Sequence, residues 1–279
     1  MGLRIATNMG SLVTQRALAN TTTQQAKSFQ RLASGSRITH AGDDAAGLSI
    51  SENLRGQIRS MAQAERNASD GISFVQVAEG GLNEIGNILI RLRELAIQAA
   101  SDTVGDRERG FIDKEVQSLL QEVDRIANVT NFNGTQLLNG EAPRGELSFQ
   151  VGVRKEGDNS DRIVFNPKEF NVRADELGIK KMSYERGSDA RDAIDKVDKA
   201  MGMVFENRAK LGAFQNKLQS TVQNLSIGRE NLAAARSRIA DTDVASETAE
   251  LVRTNILQSA GISVLAQANS APSQALKLL

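Results

Sequence analysis

Residues 190–240 read ARDAIDKVDKAMGMVFENRAKLGAFQNKLQSTVQNLSIGRENLAAARSRIA, and the spacing of their apolar side chains decides the fold. From Ile194, alternating steps of three and four meet Val197, Met201, Val204, Leu211, Leu218, Val222, Leu225, Leu232 and Ile239. Arg208, Gln215, Arg229 and Arg236 take the other four of fourteen successive rungs. This alternation marks a helix that lays one stripe along another helix. With no proline to interrupt it, a rise of about 1.5 Å per residue gives a length of roughly 75 Å.

A second ladder of the same kind lies upstream. Leu54, Ile58, Met61, Ala68, Ile72, Val75, Leu82, Leu89 and Ala96 step along the proline-free run from Asp44 to Ala100, with Glu65, Glu79, Gly86 and Arg93 on the remaining rungs. Its length is roughly 80 Å. The simplest packing sets the two long helices antiparallel. Asp43 or Asp44 supplies the N-cap of the upstream helix. The turn SDTVGD at 101–106 ends it, and Asp106 is placed to cap a third helix carrying Ile112, Val116, Leu119, Val123 and Ile126. NVTNFNG at 128–134 stops that helix with turn-forming Asn and Gly. Nearer the N-terminus, 11–35 carries a weaker ladder of Leu18, Thr22, Gln25, Phe29 and Leu32, broken by SGSRITHAGDD at 34–44.

The middle of the chain has another character. Pro143 and Pro167, two of the three prolines, fall between 140 and 190. Leu147, Phe149, Val151 and Val153 alternate, which is a strand pattern, and RIVFN at 162–166 is a second short strand beyond the polar turn KEGDNSD at 155–161. A β-hairpin is expected there, then irregular chain with one helical turn near Ala174–Leu177. The whole of 140–190 reads as a small surface-exposed insert.

At the C-terminus, TNILQSAGISVLAQANSAPSQAL (254–276) holds 23 residues without a charge, in a chain that is 24% Asp, Glu, Lys and Arg. Asn255, Gln258, Gln267 and Asn269 make it too polar to span a membrane. A solvated helix would show a charged face. Such a helix needs other protein around most of its circumference, and it reads as an assembly element.

Composition excludes several function classes. There is no cysteine, so disulfides and thiolate metal sites are out, and the single His40 removes most histidine-based zinc binding and catalysis. Formal net charge is zero, with 34 basic and 34 acidic residues, and no clustered basic face suggests nucleic acid. The first eighteen residues lack the apolar run of a signal peptide, and Ala6 stands where myristoylation needs Ser or Thr. Asp43 and Asp44 are read as helix-capping groups, not an acid–base pair. Arg208, Arg229 and Arg236 are read as interhelical or intersubunit pairing residues whose stems cover apolar surface, and Gly80–Gly81 fits no phosphate-loop spacing. No catalytic, metal or cofactor site is expected.

Longer segments carry a family resemblance. FQRLASGSRITHAGDDAAGLSI (29–50), ERNASDGISFVQVAEGGLNEI (65–85), IRLRELAIQAA (90–100) and EVDRIANVTNFNGTQLL (122–138) resemble the N-terminal half of bacterial flagellins. LGAFQNKLQSTVQNL (211–225) and NLAAARSRIADTDVASETAELVRTNILQSAGISVLAQAN (231–269) resemble the C-terminal half. The resemblance implies a mainly α subunit of the flagellar filament: an elongated antiparallel long-helix, coiled-coil bundle with a small β-hairpin region and no large outer domains. It implies that 1–43 with 236–279 form terminal helices lining a channel, and that 44–235 form the tube outside them. It implies export, unfolded, through the flagellar type III apparatus. The implied partners are further copies of the chain, hook-associated junction and filament cap proteins, and an export chaperone on the C-terminal helices; no nucleic acid or membrane insertion is expected. The self-assembly seam is expected on Leu18, Phe29, Leu32, Leu211, Leu218, Val222, Leu225, Leu232, Ile256, Val264 and Leu265. The match of IRLREL to the family's QRVREL-like segment implies a surface for the vertebrate Toll-like receptor at Arg91, Leu95 and, on the next helix, Glu115; Ile90 stands where the family has Gln.

Three other readings compete. A hook–filament junction protein would share the helical layout, but the ending AQANSAPSQALKLL resembles that of flagellins. An enzyme would need a nucleophile–base or metal constellation that the chain lacks. A coiled-coil adaptor would share the seams without a reason for the charge-free terminus.

Overall fold

A computed structural model describes residues 7–141, 145–154 and 161–276, with side chains as far as residue 271. In chain order the elements are α1 (Met9–Ser34), α2 (Ala45–Ala99), α3 (Asp106–Val129), β1 (Asn131–Phe132), β2 (Thr135–Gln136), β3 (Leu147–Gln150), β4 (Arg162–Phe165), a 3-10 turn (Pro167–Phe170), α4 (Gly187–Ala240) and α5 (Val244–Leu276). The chain is mainly α, as its ladders require. Pro143 and most of the expected turn KEGDNSD lie outside the described residues.

Local chemistry explains where the helices stop. Asn8 caps α1 by accepting from Ser11 N, and Gly35, at φ 66°, closes it in the left-handed conformation that glycine tolerates. Asp44 Oδ1 accepts from Gly47 N at 2.8 Å at the start of α2, and Asp243 Oδ1 accepts from Ala245 N at 2.9 Å at the start of α5. Asp106 does not cap α3. The cap position is Gly105, without a side-chain bond, and Asp106 is the first helical residue, beside Arg109 at 3.0 Å. There it favours the positive end of the helix dipole. The backbone of α5 continues past Pro272.

The chain divides into two compact units, Met1–Ile58 with Glu230–Leu279, and Arg59–Arg229. The division passes within α2 and α4, whereas the sequence suggested 43/44 and 235/236.

The second unit holds nearly all of the apolar core. Leu82, Leu89, Val197, Val204, Leu211 and Leu218 are fully buried on the two expected ladders. α2 and α4 run antiparallel, with Arg93 Nε 2.6 Å from Asp198 Oδ1 and Arg229 Nη1 3.0 Å from Glu65 Oε2. Along its later half α2 buries a wider stripe than one ladder, adding Phe74, Ala78, Ile85, Leu92, Leu95 and Ala99. A helix with several neighbours must bury more of its circumference. Here α3 contributes Ile112, Val116, Leu120, Val123 and Ala127 to the same core.

Six of the nine phenylalanines meet in one cluster of this unit. Phe74 of α2 makes edge-to-face contacts with Phe132, Phe149 and Phe165 at centroid distances of 5.8, 5.4 and 4.9 Å. Phe165 also meets Phe214 of α4 at 5.7 Å and stacks on Phe170 at 4.7 Å. Each such pair adds about 0.5–1.5 kcal/mol beyond the area it buries. The cluster thereby ties both hairpins to both long helices.

The expected hairpin is present: β3 and β4 pair antiparallel with Leu147 opposite Phe165 and Gln150 opposite Arg162. Ile163 and Phe165 face inward while Arg162 and Val164 face out, the alternation of a half-buried strand. A second, smaller hairpin, β1–β2, was not anticipated. Its two turn residues are Asn133 and Gly134, at φ 48° and 76°, the positive pair that a type I′ turn requires.

The segment 140–190 is not a surface-exposed insert. Val151, Val172, Leu177, Ile179, Met182 and Tyr184 are all buried. The expected helical turn forms, with Leu177 N donating to Arg173 O at 3.0 Å, and Gly178 ends it at φ 70°. Around it the chain runs antiparallel to α3, held by three side chains. Asp124 Oδ1 accepts from Ala174 N at 2.8 Å, Gln117 Nε2 donates to Met182 O at 2.9 Å, and Asp113 Oδ1 accepts from Tyr184 N at 2.7 Å. An irregular strip can be buried because its backbone groups are bonded to α3.

Candidate assembly surface

In the first unit α1 and α5 pack antiparallel. Asn8 Nδ2 donates to Ala268 O at 2.7 Å, Gln25 Nε2 bonds Asn255 Oδ1, and Arg31 Nη1 lies 3.6 Å from Glu247 Oε2. Beyond their ends the two bends are stitched together. Thr242 N donates to Gly35 O at 3.0 Å and Arg37 N to Ala240 O at 2.7 Å.

The contact between these helices is built mainly from small and polar residues, with four leucines among them. Ser11, Thr14, Leu18, Thr21, Gln25, Ser28 and Leu32 form the less exposed face of α1, in steps of three and four. Glu247, Leu251, Thr254, Gln258, Gly261, Leu265 and Ala268 do the same on α5. Ser11, Ser28 and Thr254 are buried, and the Thr254 hydroxyl donates to Leu251 O within its own helix at 2.9 Å. Gly261 sits against Leu18 Cδ1, so a missing side chain lets the backbones approach.

Ten other large apolar residues point the other way. Met9, Leu12, Val13 and Phe29 on α1 are exposed, as are Val244, Val252, Ile256, Leu257, Ile262 and Val264 on α5. Among the described residues of this unit, Ile38 and Ala240 are the buried hydrophobics. Apolar residues lie all round α5, a pattern that belongs to a helix enclosed by protein. Ala19, Thr22, Thr23 and Ala26, with Gln15 and Leu18, line a shallow hollow on α1. The unit is inverted in emphasis: mostly small and polar residues, with four half-buried leucines, where its helices meet, and large apolar residues where they face solvent. Exposed apolar surface on this scale marks an interaction site.

The expected seam residues therefore separate into groups. Leu211 and Leu218 are buried, and Val222, Leu225 and Leu232 half-buried, on α4. Leu18, Leu32 and Leu265 are half-buried on the α1–α5 contact. Phe29, Ile256 and Val264 are not on that contact, being 53%, 64% and 51% exposed. The ladder passes through Ser28 in place of Phe29, because small side chains let the helices close up. A search for apolar rungs alone misses Ser11, Thr14, Thr21, Ser28, Thr254, Gln258 and Gly261; the missed signal is small and polar residues at heptad spacing.

The other candidates resolve as local structure. Asp43 Oδ2 accepts from the Thr39 hydroxyl, Thr39 N and His40 N at 2.9, 3.2 and 3.1 Å. These bonds, the Thr39 hydroxyl first, hold its carboxyl below the usual carboxylate range. His40 bonds Gln30 at 3.0 Å. Arg229 pairs with Glu65, as read from its rung. No cluster of three metal-ligating side chains occurs among the described residues, and none of the described helices is long and apolar enough to cross a membrane.

Arg91 and Glu115 come together, with Nη2 to Oε1 at 2.9 Å, and Arg91 also reaches Glu94 at 3.1 Å. Bonding first to Glu115 and then to Glu94 raises the Arg91 pKa above its ordinary value. Leu95 does not share that surface. It is 2% exposed, turned into the core beneath them.

Comparison with known proteins bears on the inverted unit and the long helices alike. The bacterial flagellin N-terminal helical region matches residues 5–142, and the bacterial flagellin C-terminal helical region matches residues 194–279. A flagellin of Halalkalibacterium halodurans is 40% identical over 272 residues, covering 98% of each chain. The flagellar filament 31.3 kDa core protein of Treponema maltophilum is 40% identical over 281 residues, again with 98% of each chain covered. The crystal structure of Bacillus cereus flagellin superposes with a TM-score of 0.51 at 29% identity, covering 61% of this chain and 94% of that one. On these matches in both halves, over nearly the full length, the chain belongs to the bacterial flagellins, structural proteins of the extracellular flagellar filament and not enzymes.

Proposed function

We propose that the chain polymerises into a helical homopolymer through the exposed apolar faces of α1 and α5. One observation carries this reading: the terminal helix pair buries Ser11, Ser28 and Thr254 while exposing ten large apolar side chains. Covering one such side chain contributes about 1.5–3 kcal/mol, so the surface favours enclosure by further copies. In the assembled filament 1–43 and 236–279 form the inner helices around a channel, and 44–235 the tube outside them. Phe29, Ile256 and Val264 act between subunits; Leu18, Leu32 and Leu265 act within one; Leu211, Leu218, Val222, Leu225 and Leu232 hold the long-helix pair. Export proceeds unfolded by the flagellar type III route, with a chaperone covering the C-terminal helices until release and with junction and cap proteins at the filament's ends. Recognition by a vertebrate Toll-like receptor would rest on Arg91 and Glu115, since Leu95 is buried.

Seeded elongation tests the proposal. Ile256→Asp with Val264→Asp is expected to leave the monomer's helical circular dichroism unchanged and to stop growth on filament seeds. Elongation of the double variant at the parent rate would sink it. A variant with reduced helical signal would place these residues inside the subunit and count equally against it.

A further inference from the structure

The chain contains two Asn–Gly pairs, Asn133–Gly134 and Asn139–Gly140, six residues apart and in opposite environments. Asn133 and Gly134 form the tip of the β1–β2 hairpin, and both are exposed. Among the described residues neither the Asn133 carboxamide nor the Gly134 N–H has a hydrogen-bond partner. A Cβ built on Gly134 would meet nothing within 4 Å. Asn139, by contrast, is 2% exposed. Its Nδ2 donates to Gln136 Oε1 at 2.5 Å and its Oδ1 accepts from Glu141 N at 2.9 Å. A Cβ on Gly140 would lie 2.8 Å from the Asn171 side chain.

We propose that Asn133 is a site of spontaneous covalent modification, converting to aspartate and isoaspartate through a cyclic imide, while Asn139 is protected by the fold. The Gly134 nitrogen gives up its proton to solvent base and bonds to Asn133 Cγ. The bond from Cγ to the side-chain nitrogen breaks, and that nitrogen takes a proton and leaves as ammonia. Water then adds to one of the two imide carbonyls and the ring C–N bond breaks there. Attack at the side-chain carbonyl breaks the Cγ–N bond and leaves the normal peptide with aspartate, whereas attack at the backbone carbonyl breaks that C–N bond and leaves the chain running through Cβ and Cγ as isoaspartate. Nothing is oxidised or reduced, and water is the only co-reactant.

Glycine admits this step because no side chain shields its nitrogen. Asn133 must leave its left-handed conformation to close the ring, and the strands behind it, anchored through Asn131–Gln136, Phe132–Thr135 and the Phe132–Phe74 contact, stay in place while the two tip residues move. Opening is therefore local and does not need the core to unfold. At Asn139 the same step would break two hydrogen bonds of a buried side chain. The product adds a negative charge at the tip. Isoaspartate also lengthens the backbone by one methylene within a two-residue turn whose geometry sets strand register.

The test is timed incubation of the full-length chain at mildly alkaline pH in heavy-oxygen water, followed by digestion and mass analysis of peptides holding each Asn. Enzymatic methyl transfer specific to isoaspartate gives a second readout. In the folded chain Asn133 is expected to take up heavy oxygen about an order of magnitude faster than Asn139, with the difference vanishing in denaturant. Asn133→Gln, which keeps Gly134 and would need a six-membered ring, is expected to remove the signal. Equal rates in the folded chain would overturn the proposal. So would no conversion at Asn133 during an interval in which the denatured chain converts, or a signal that survives in Asn133→Gln.

Discussion

Tyr184 is the single tyrosine in a chain without tryptophan, so one phenol reports on the core. It is fully buried, and its hydroxyl donates to Leu92 O at 3.1 Å. Burial, reinforced by the Asp113 carboxylate, pushes its pKa well above the ordinary phenol range. The folded chain thus holds this proton more tightly than the unfolded chain. The resulting stability is intact below the unfolded pKa of about 10 and is lost as pH rises from there toward the folded value. In an alkaline titration, phenolate absorbance is expected to appear above the free-tyrosine range and together with loss of helical circular dichroism. Ionisation in the ordinary range with the helices intact would show that the ring is not enclosed. Little of this was legible in the sequence. Tyr184 lies in irregular chain without periodicity, and its partners come from α2 and α3, with Leu92 and Asp113 lying 92 and 71 residues away.

At the scale of elements, periodicity revealed what repeats and hid what does not. The ladders through Leu82 and Leu218 were readable because a long helix meets the same neighbour every few residues. Phe29, read as a rung of the α1 ladder, gives way to Ser28 on the α1–α5 contact, which favours small side chains, and hydrophobic spacing carries no sign of that. The β1–β2 hairpin had a signal in Asn133–Gly134, but its flanking strands have two residues each, too few to alternate. The strip from 172 to 184 left no pattern, since its order comes from α3. Replacing Asp124 and Asp113 with Ala together is expected to raise amide exchange at Ala174 and Tyr184, leaving Leu89 and Leu211 as protected as before. Each lost bond costs about 0.5–1.5 kcal/mol, more where a buried group is left bare. Unchanged exchange at Ala174 would mean that apolar burial alone holds the strip.

For the whole molecule, the two units differ in what holds them. Core residues such as Leu82, Ile85, Leu92 and Leu211 all belong to Arg59–Arg229, while the terminal unit buries Ser11, Ser28 and Thr254. In the unassembled chain, amides of α1 and α5 are expected to exchange through small local openings and those near Leu82–Ala96 only through the largest ones. Equal protection across both units would contradict the inverted packing. Fold class and membership were legible because helix length, antiparallel ladders and family segments survive in one dimension. The inversion was visible only as an unexplained absence of charge in α5. That absence has a physical sequel. Coulombic contacts weaken as the screening length shortens from about 30 Å in dilute electrolyte to about 8 Å at physiological ionic strength. The described side chains from Thr254 to Ala271 bear no ionic group on which such screening could act. Contacts made by this part of α5 are therefore indifferent to ionic strength over that range, and a filament cohering through them would hold together when the medium around it is diluted.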